Sequence, residues 1–546
     1  MTPRAFRYTV TMALARAVMV GMLGVALIQA QRGGAQGSQP AQATQSRQSG
    51  AGGRGAFEPP LWLRDEEFLR WPFSDPAYQK IDGFKIKRYI GEITAISRKS
   101  RDEGNQYWGR ITGTIYDKQT ADWVAAQFKR IGLEQVRIQE FGLPTQWFPT
   151  SWEVVASATP NAAAALGAPA SRAQIVPIKT AFPLYNSVAT NSQLQPGTAA
   201  TPGAQVEFEP VWVGTGTAAD FLARDVKGKA VVVYGFPNPG GRNNTALSNG
   251  AIRRADEAGA AAVFIVLGFP GNVMNEPQAG GTTPPAKIPV FMIGNDDGTV
   301  IREMIEKRQS PKVRARLQVE MRNGLKTASV WGVLPGVTEE NIAVMAHTDA
   351  FFEGAMDNAS GMATMVALAE YYASLPKSQR RRTMTFFTTS AHHSPSGEDA
   401  GMRWVHNNMK EMFAKTALIV NCEHTAQVAT FLVGNALIAS NQVSARRWFV
   451  GGSDQLKAIV AKTFKDYGIA LYSRPEGRPG GELGQVFMDA PSFHIIDHTV
   501  YHTDMDTLQA VPAYGLEQSA RAFAKIIDEV NTLDLGQLRV NIPVTN

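Results

Sequence analysis

The residues of this chain best suited to chemistry are gathered late in it. All eight histidines lie at or after His347. His347 follows the apolar run VMA, Asp349 stands two residues on, and Asp357 lies in AMDNASG just before a helical pattern. Glu423 ends the run LIVNC, and His502 lies in VYHTDMDT. Imidazole and carboxylate groups suit Zn2+, and a carboxylate set between two histidine-bearing strand ends can bridge a pair of ions. Asp349 is spaced to orient that neighbourhood from outside the ligand set. Singly, each residue has an ordinary explanation: a histidine at a strand end is usually a satisfied polar group, and Asp-Asn-Ala-Ser is a common helix cap. Order and context give them weight.

The elements that must position these groups can be read from periodicity. Residues 341–349, 382–391 and 417–423 read as strands, and 361–375 and 400–413 as helices between them. The stretches SDQLKAIVAKTFKDYG and YGLEQSARAFAKIIDEV supply further helices. Such alternation predicts an α/β fold with a mixed, largely parallel central sheet flanked by helices. In that architecture, sites lie at the carboxyl ends of the strands. Upstream, 120–138 reads as an amphipathic helix, a turn at Gly132 and a strand.

Between 157 and 325 the character changes to Ala, Gly, Pro and Thr-rich segments around short apolar runs. GKAVVVYGF is a buried strand, AIRRADEAGAAAVFIVL a helix leading into another, and KIPVFMIGNDDGTVIREMI a strand, turn and helix. These motifs, in this order, resemble the protease-associated domain. The resemblance implies a β-rich α/β module inserted into a main domain formed by 57–156 and 326–533, with a C-terminal tail at 534–546. The module has no histidine and no convergent acid cluster, so it is expected to border the entrance of a site and to hold no metal or catalytic group.

Composition limits the remaining choices. With 546 residues and 44% hydrophobic content there is chain enough for two cores. Residues 1–30 read as a secretory signal, basic at Arg4 and Arg7 and then apolar up to small residues. Residues 31–56, rich in Gln, Gly, Ala and Ser, read as a disordered linker. The expected location is therefore periplasmic or extracellular, with no stable membrane association after signal removal. A single cysteine, Cys422, excludes an intrachain disulfide. The formal charge of +6 is scattered, and the basic run at 380–382 reads as a solvated turn, so nucleic acid is not an expected partner. Nothing in the sequence speaks to oligomeric state.

The segment HTDAFFEGAMDNASGMATMVALAE closely resembles the H-x-D, D-N-A-S-G and helix of family-twenty-eight metallopeptidases, the group of aminopeptidase Y and bacterial leucyl aminopeptidases. VNCEHTA is similar to that family's N-L-D strand end, and VYHTDMDT to its Y-H-T-x-x-D-T. The resemblance implies a peptidase-like domain with one or two zinc ions, acting on a peptide or small amide. His347 would bind the first ion, Asp357 would bridge, Glu423 would stand where a ligand Asp stands, and His502 would bind the second ion. The departures concern the chemistry. After TFFTTSA the family has a Glu-Glu pair, a general base followed by a ligand, where this chain has His392 and His393. A Ser-Asp segment before the last strand is replaced by LGQVF. The resemblance thus leaves the centre with two carboxylates instead of three against two dications, and so more positive. Neutral His393 could serve as a zinc ligand and His392 as the base, or either histidine could be the metal ligand; Asp349 completes the catalytic group, and Glu398 is a further candidate base. The leading expectation is aminopeptidase-type amide hydrolysis. The alternatives are a non-catalytic metal-binding or protein-binding relative, or a metal hydrolase for another amide or ester.

Overall fold

Runs of apolar residues with few interruptions make the centre of the main sheet. Its strands are β1 (Glu134–Gly142), β2 (Lys326–Leu334), β3 (Thr338–His347), β4 (Arg382–Thr389), β5 (Thr416–Asn421), β6 (Arg447–Gly451) and β7 (Ser492–Ile496). They lie in the order β6-β7-β5-β3-β4-β2-β1. The four central strands, β7, β5, β3 and β4, run parallel, and the three outer ones pair antiparallel. Parallel strands buried on both faces carry apolar side chains on both. Along β3, Ile342, Val344 and Ala346 enter one core, while Ala343 and Met345 enter a second with Met402, Val405 and Phe413. The fold is mixed α/β with a largely parallel sheet covered by helices.

This computed structural model describes residues 76–159, 174–191, 201–236, 245–276, 287–393, 400–434, 436–471, 490–496 and 500–540. The expected signal and linker lie outside these residues, as do Glu398 and the segment 483–487.

The larger core is built by five helices: α1 (Gly83–Asp102), α2 (Ile115–Ile131), α3 (Gly361–Ala373), α4 (Asp454–Asp466) and α5 (Ala513–Val530). Asp82 caps α1 by accepting from the amides of Phe84 and Lys85, and Gly132 ends α2 at φ 86°, a left-handed position suited to glycine. α3 is buried almost all round, so it is apolar on every face. The helix expected over 400–413 is two, Ala400–Asn408 and Lys410–Ala414, divided after an Asn-Asn pair of poor helix formers. The strand expected to reach 391 stops at Thr389, which leaves His392 and His393 in a turn.

After β1 the chain leaves the main sheet and returns to it at β2. Between them, strands Gln174–Pro177, Gln146–Ala158, Lys312–Arg322 and Val206–Phe208 form an antiparallel sheet in that spatial order. Gln146–Ala158 precedes the expected boundary at 157 yet belongs to this sheet. A second sheet joins Phe182–Pro183, Val290–Ile293, Ala262–Leu267, Ala230–Gly235 and Pro210–Trp212, the last four in parallel. Its core, with Phe264 stacked on Phe291, is continuous with Trp108, Phe351 and Phe352 from outside the insertion. Phe352 packs 5.3 Å from Phe182 and 5.5 Å from Trp108, ring centre to ring centre. The insertion is therefore packed onto the loop that follows His347.

Candidate metal centre

Four parallel strands end at one edge of the sheet, and each delivers a polar group there. His347 is the last residue of β3; His392 and His393 follow β4; Glu423 and His424 follow β5; His494 lies in β7 and His502 follows it. Asp357 comes from the loop between β3 and α3. β3 is flanked by β4 on one side and β5 on the other, so the loops diverge and open the crevice that suits a site.

The motif DNASG is explained by what each residue touches. The Asn358 amide donates to Cys422 O at 3.0 Å, while its own oxygen accepts from Gly361 N at 3.0 Å. Ser360 Oγ donates to Met356 O and accepts from Thr425 N. A Cβ on Gly361 would lie 1.9 Å from Cys422 O, so only glycine lets α3 start directly against the end of β5. Asp506 accepts from Met356 N at 2.6 Å and Asp357 N at 3.0 Å, holding the backbone that carries Asp357. Arg110, wholly buried, donates to the carbonyls of Thr348, Glu353 and Gly354 and pins the other limb of the loop.

Asp357 is the centre of the arrangement. His347 Nε2 lies 3.0 Å and His424 Nε2 3.1 Å from Oδ1; His393 Nε2 lies 3.2 Å and His502 Nε2 3.1 Å from Oδ2. Both Asp357 oxygens, His393 Nε2 and His502 Nε2 are buried without a hydrogen-bond partner among the described residues. Tautomers sharpen the point. His347 Nδ1 faces Asp349 O at 3.1 Å and His502 Nδ1 faces Glu276 O at 3.0 Å. A carbonyl oxygen only accepts, so each Nδ1 carries a proton and, in a neutral ring, each Nε2 presents a lone pair. Lone pairs directed at a carboxylate require either added protons or a shared cation. Donors about 2.0–2.1 Å from a tetrahedral zinc ion stand about 3.3 Å apart, close to the observed spacings. The residues fit zinc at Asp357, with His347, His424 and Glu423 near one carboxylate oxygen and His393 and His502 near the other.

The remaining groups stand around this set. Glu423 places Oε1 3.9 Å from His347 Nε2 and 3.7 Å from His424 Nε2, while Oε2 is taken by His494 Nε2 at 2.6 Å and Asn421 at 3.2 Å. Asp349 accepts from His392 N at 3.2 Å, His393 N at 2.7 Å and Thr112 Oγ1 at 3.1 Å, so it positions the histidine turn as well as His347. The His392 ring lies 4.6 Å from those of His347 and His393. His347, His392 and His393 could also converge on one ion. Ala391, His424, His502 and Phe352 all adopt positive φ, as costly backbone gathered at a functional site does.

Without an ion, electrostatics divides the histidines. Burial lowers His393 to about 3, so its imidazole is neutral at neutral pH. Burial would lower His424 and His502 too, but Asp357, with Glu423 and Glu276 respectively, outweighs it and raises both. Burial would raise Asp357, yet His393 and His424 among its neighbours hold it well below the usual carboxylate range. Asp506 is pushed up to about 7 by burial, with Asp357 adding to the shift.

His347, Asp357, His393 and His502, singled out from sequence, converge here. The sequence does not single out His424, His494 or Glu276, and it marks Asp506 only as part of VYHTDMDT. His424 stands beside Glu423 in VNCEHTA, and Glu423 also groups with His347 and Asp357 closely enough to hold an ion. Glu276 carried no signal, since it lies 226 residues from His502 in the chain. The insertion, expected to hold no metal or catalytic group, reaches the site through Glu276, whose carbonyl faces His502 Nδ1.

The sequence profile of Peptidase family M28 matches residues 329–527. No curated protein sequence matches the chain. Among solved structures, the Peptidase M28 precursor from Shewanella amazonensis SB2B is similar with a TM-score of 0.62 at 17% identity, covering 88% of this chain and 99% of that one. BSAP, a zinc aminopeptidase from Bacillus subtilis, gives 0.55 at 18%, covering 85% and 99%. The aminopeptidase from Aneurinibacillus sp. strain AM-1 gives 0.51 at 17%, covering 86% and 98%. At these identities the likeness establishes the fold, which this chain shares over almost the whole length of each.

Proposed function

We propose that this protein is a metal-dependent, peptidase-like hydrolase that cleaves a peptide or small amide by aminopeptidase-type hydrolysis, in an exported setting. The observation that carries the reading is Asp357 with two histidine Nε2 atoms on each carboxylate oxygen, at 3.0–3.2 Å. The matched family and the zinc aminopeptidase named among the similar structures support the same chemistry. Export rests on residues 1–30 alone. The insertion has the motifs of a protease-associated domain and packs against the loop after His347, a place from which it restricts substrate size.

Zinc, when bound, supplies Lewis acidity and makes water a better nucleophile at neutral pH. Asp357, His347, His424, His393 and His502 would hold it, with Glu423 as an additional donor beside His347 and His424. Asp349 orients His347 through the backbone and holds the turn bearing His392 and His393 through its carboxylate. His392 is the group assigned to take a proton from water and return it to the leaving amine, a role that contributes about 10²–10⁴-fold. Its position in the resemblance belongs to a carboxylate, which favours a second reading, a non-catalytic metal-binding protein on this scaffold.

Replacing both histidines, His392→Glu with His393→Glu, separates the two readings. On the catalytic reading the double variant cleaves aminoacyl anilides faster than the parent. If it binds zinc and is inert on a broad panel of peptides, the peptidase reading fails.

A further inference from the structure

We propose that the insertion is a working part of the metal centre: residues 274–276 clamp His502, and Glu276 serves as its outer partner. This rests on the metal-binding reading above and adds a positioning residue to it.

The contact is built from both chains of the clamp. Met274 N donates to Asp504 Oδ1 at 3.0 Å, and Asp504 N donates back to Met274 O at 3.2 Å. Asn275 pairs with Thr503 as an antiparallel bridge, and its side-chain amide donates to His502 O at 3.1 Å. Glu276 N donates to the same carbonyl at 2.9 Å, and Glu276 O accepts from His502 Nδ1 at 3.0 Å. The backbone of His502 is thus held from the insertion while its ring is fixed in the tautomer that turns Nε2 to Asp357.

The side chain of Glu276 adds charge to this geometry. It is 2% exposed, and its Oε2 lies 3.5 Å from His502 Nδ1 with no hydrogen-bond partner among the described residues. A carboxylate behind a histidine ligand raises the ligand's donor strength and fixes its ring. Among the described residues, the half of the centre formed by His393 and His502 has Asp357 as its one carboxylate in direct contact. Glu276 brings negative charge to that half from outside the ligand set, where His393 brings none.

Zinc affinity, measured by competition with a chromophoric chelator on the full chain, tests this. Glu276→Gln keeps the shape and the backbone carbonyl and removes the charge; Asn275→Ala removes the side-chain bond to His502 O. Each is expected to weaken one zinc ion by about 10–100-fold, with the other ion unchanged. In a His502→Ala background the Glu276→Gln effect should vanish, because the two act through one ring. Melting in excess chelator should not move, which distinguishes positioning of the ligand from general loss of fold. If the parent binds zinc and both variants bind it equally well, or if the Glu276→Gln effect persists without His502, the clamp is wrong while the metal reading stands. A parent that binds no zinc would overturn the metal reading and the clamp with it.

Discussion

At Asp357 two pairs of imidazoles share one carboxylate, and that fact decides which substitutions should matter most. His424 stands 3.1 Å from Oδ1, whereas Glu423 is 3.9 Å from His347 Nε2 and is held by His494 and Asn421. His424→Ala should therefore lower zinc affinity more than Glu423→Gln, by at least tenfold in a chelator competition. Equal losses would put Glu423 in the ligand set on the same footing. His392→Ala should leave metal content intact and reduce turnover about 10²–10⁴-fold if His392 moves the proton. Unchanged turnover would remove it from the mechanism. His347, Asp349 and Asp357 are legible because they fall within one short segment, and His502 and Asp506 within another, while Glu276 joins the centre only through folding.

Among elements, the packing of α3 on β5 and of α2 on β2 carries the site. Gly361 brings α3 against Cys422, whose carbonyl would lie 1.9 Å from an added Cβ. Gly361→Ala should cost at least about 1–3 kcal/mol by overpacking. It should also lower zinc occupancy, as seen by elemental analysis, because α3 and β5 would part where Asp357 and His424 meet. Asp117 on α2, buried and bonded to Thr327 Oγ1 at 2.6 Å on β2 and Gly113 N at 2.9 Å, is raised to about 7 by burial. An unfolded aspartate titrates near about 3.9, so between these values the native state holds more protons and stability falls as pH rises. Above about 7 that loss is complete. Asp117→Asn can keep both bonds and removes the penalty. Its stability relative to the parent, from urea unfolding, should improve by up to about 4 kcal/mol from pH 4 to pH 8. A flat difference would show that Asp117 is not protonated in the native state.

On the scale of the whole molecule, the strand and helix alternation of the main sheet is legible because the middles of its parallel strands are apolar on both faces, as in residues 342–346 of β3 and 417–420 of β5. The site's location at their carboxyl ends followed from the same topology. The contact between insertion and centre was not legible, because the hydrogen bonds of residues 274–276 to 502–504 carry no periodicity and no distinctive composition. The limit of the insertion is blurred for a related reason: Gln146–Ala158 begins before the expected boundary at 157 yet pairs with Lys312–Arg322. The rest depends on the proposal that the Asp357 cluster holds metal. Elemental analysis of the purified full chain after dialysis, alongside Asp357→Ala, tests it most directly. One or two zinc ions per chain are expected in the parent and loss of metal in the variant, with a lower melting temperature, since binding to the native state adds stability. No tightly held transition metal in the parent, or full occupancy in Asp357→Ala, would contradict it.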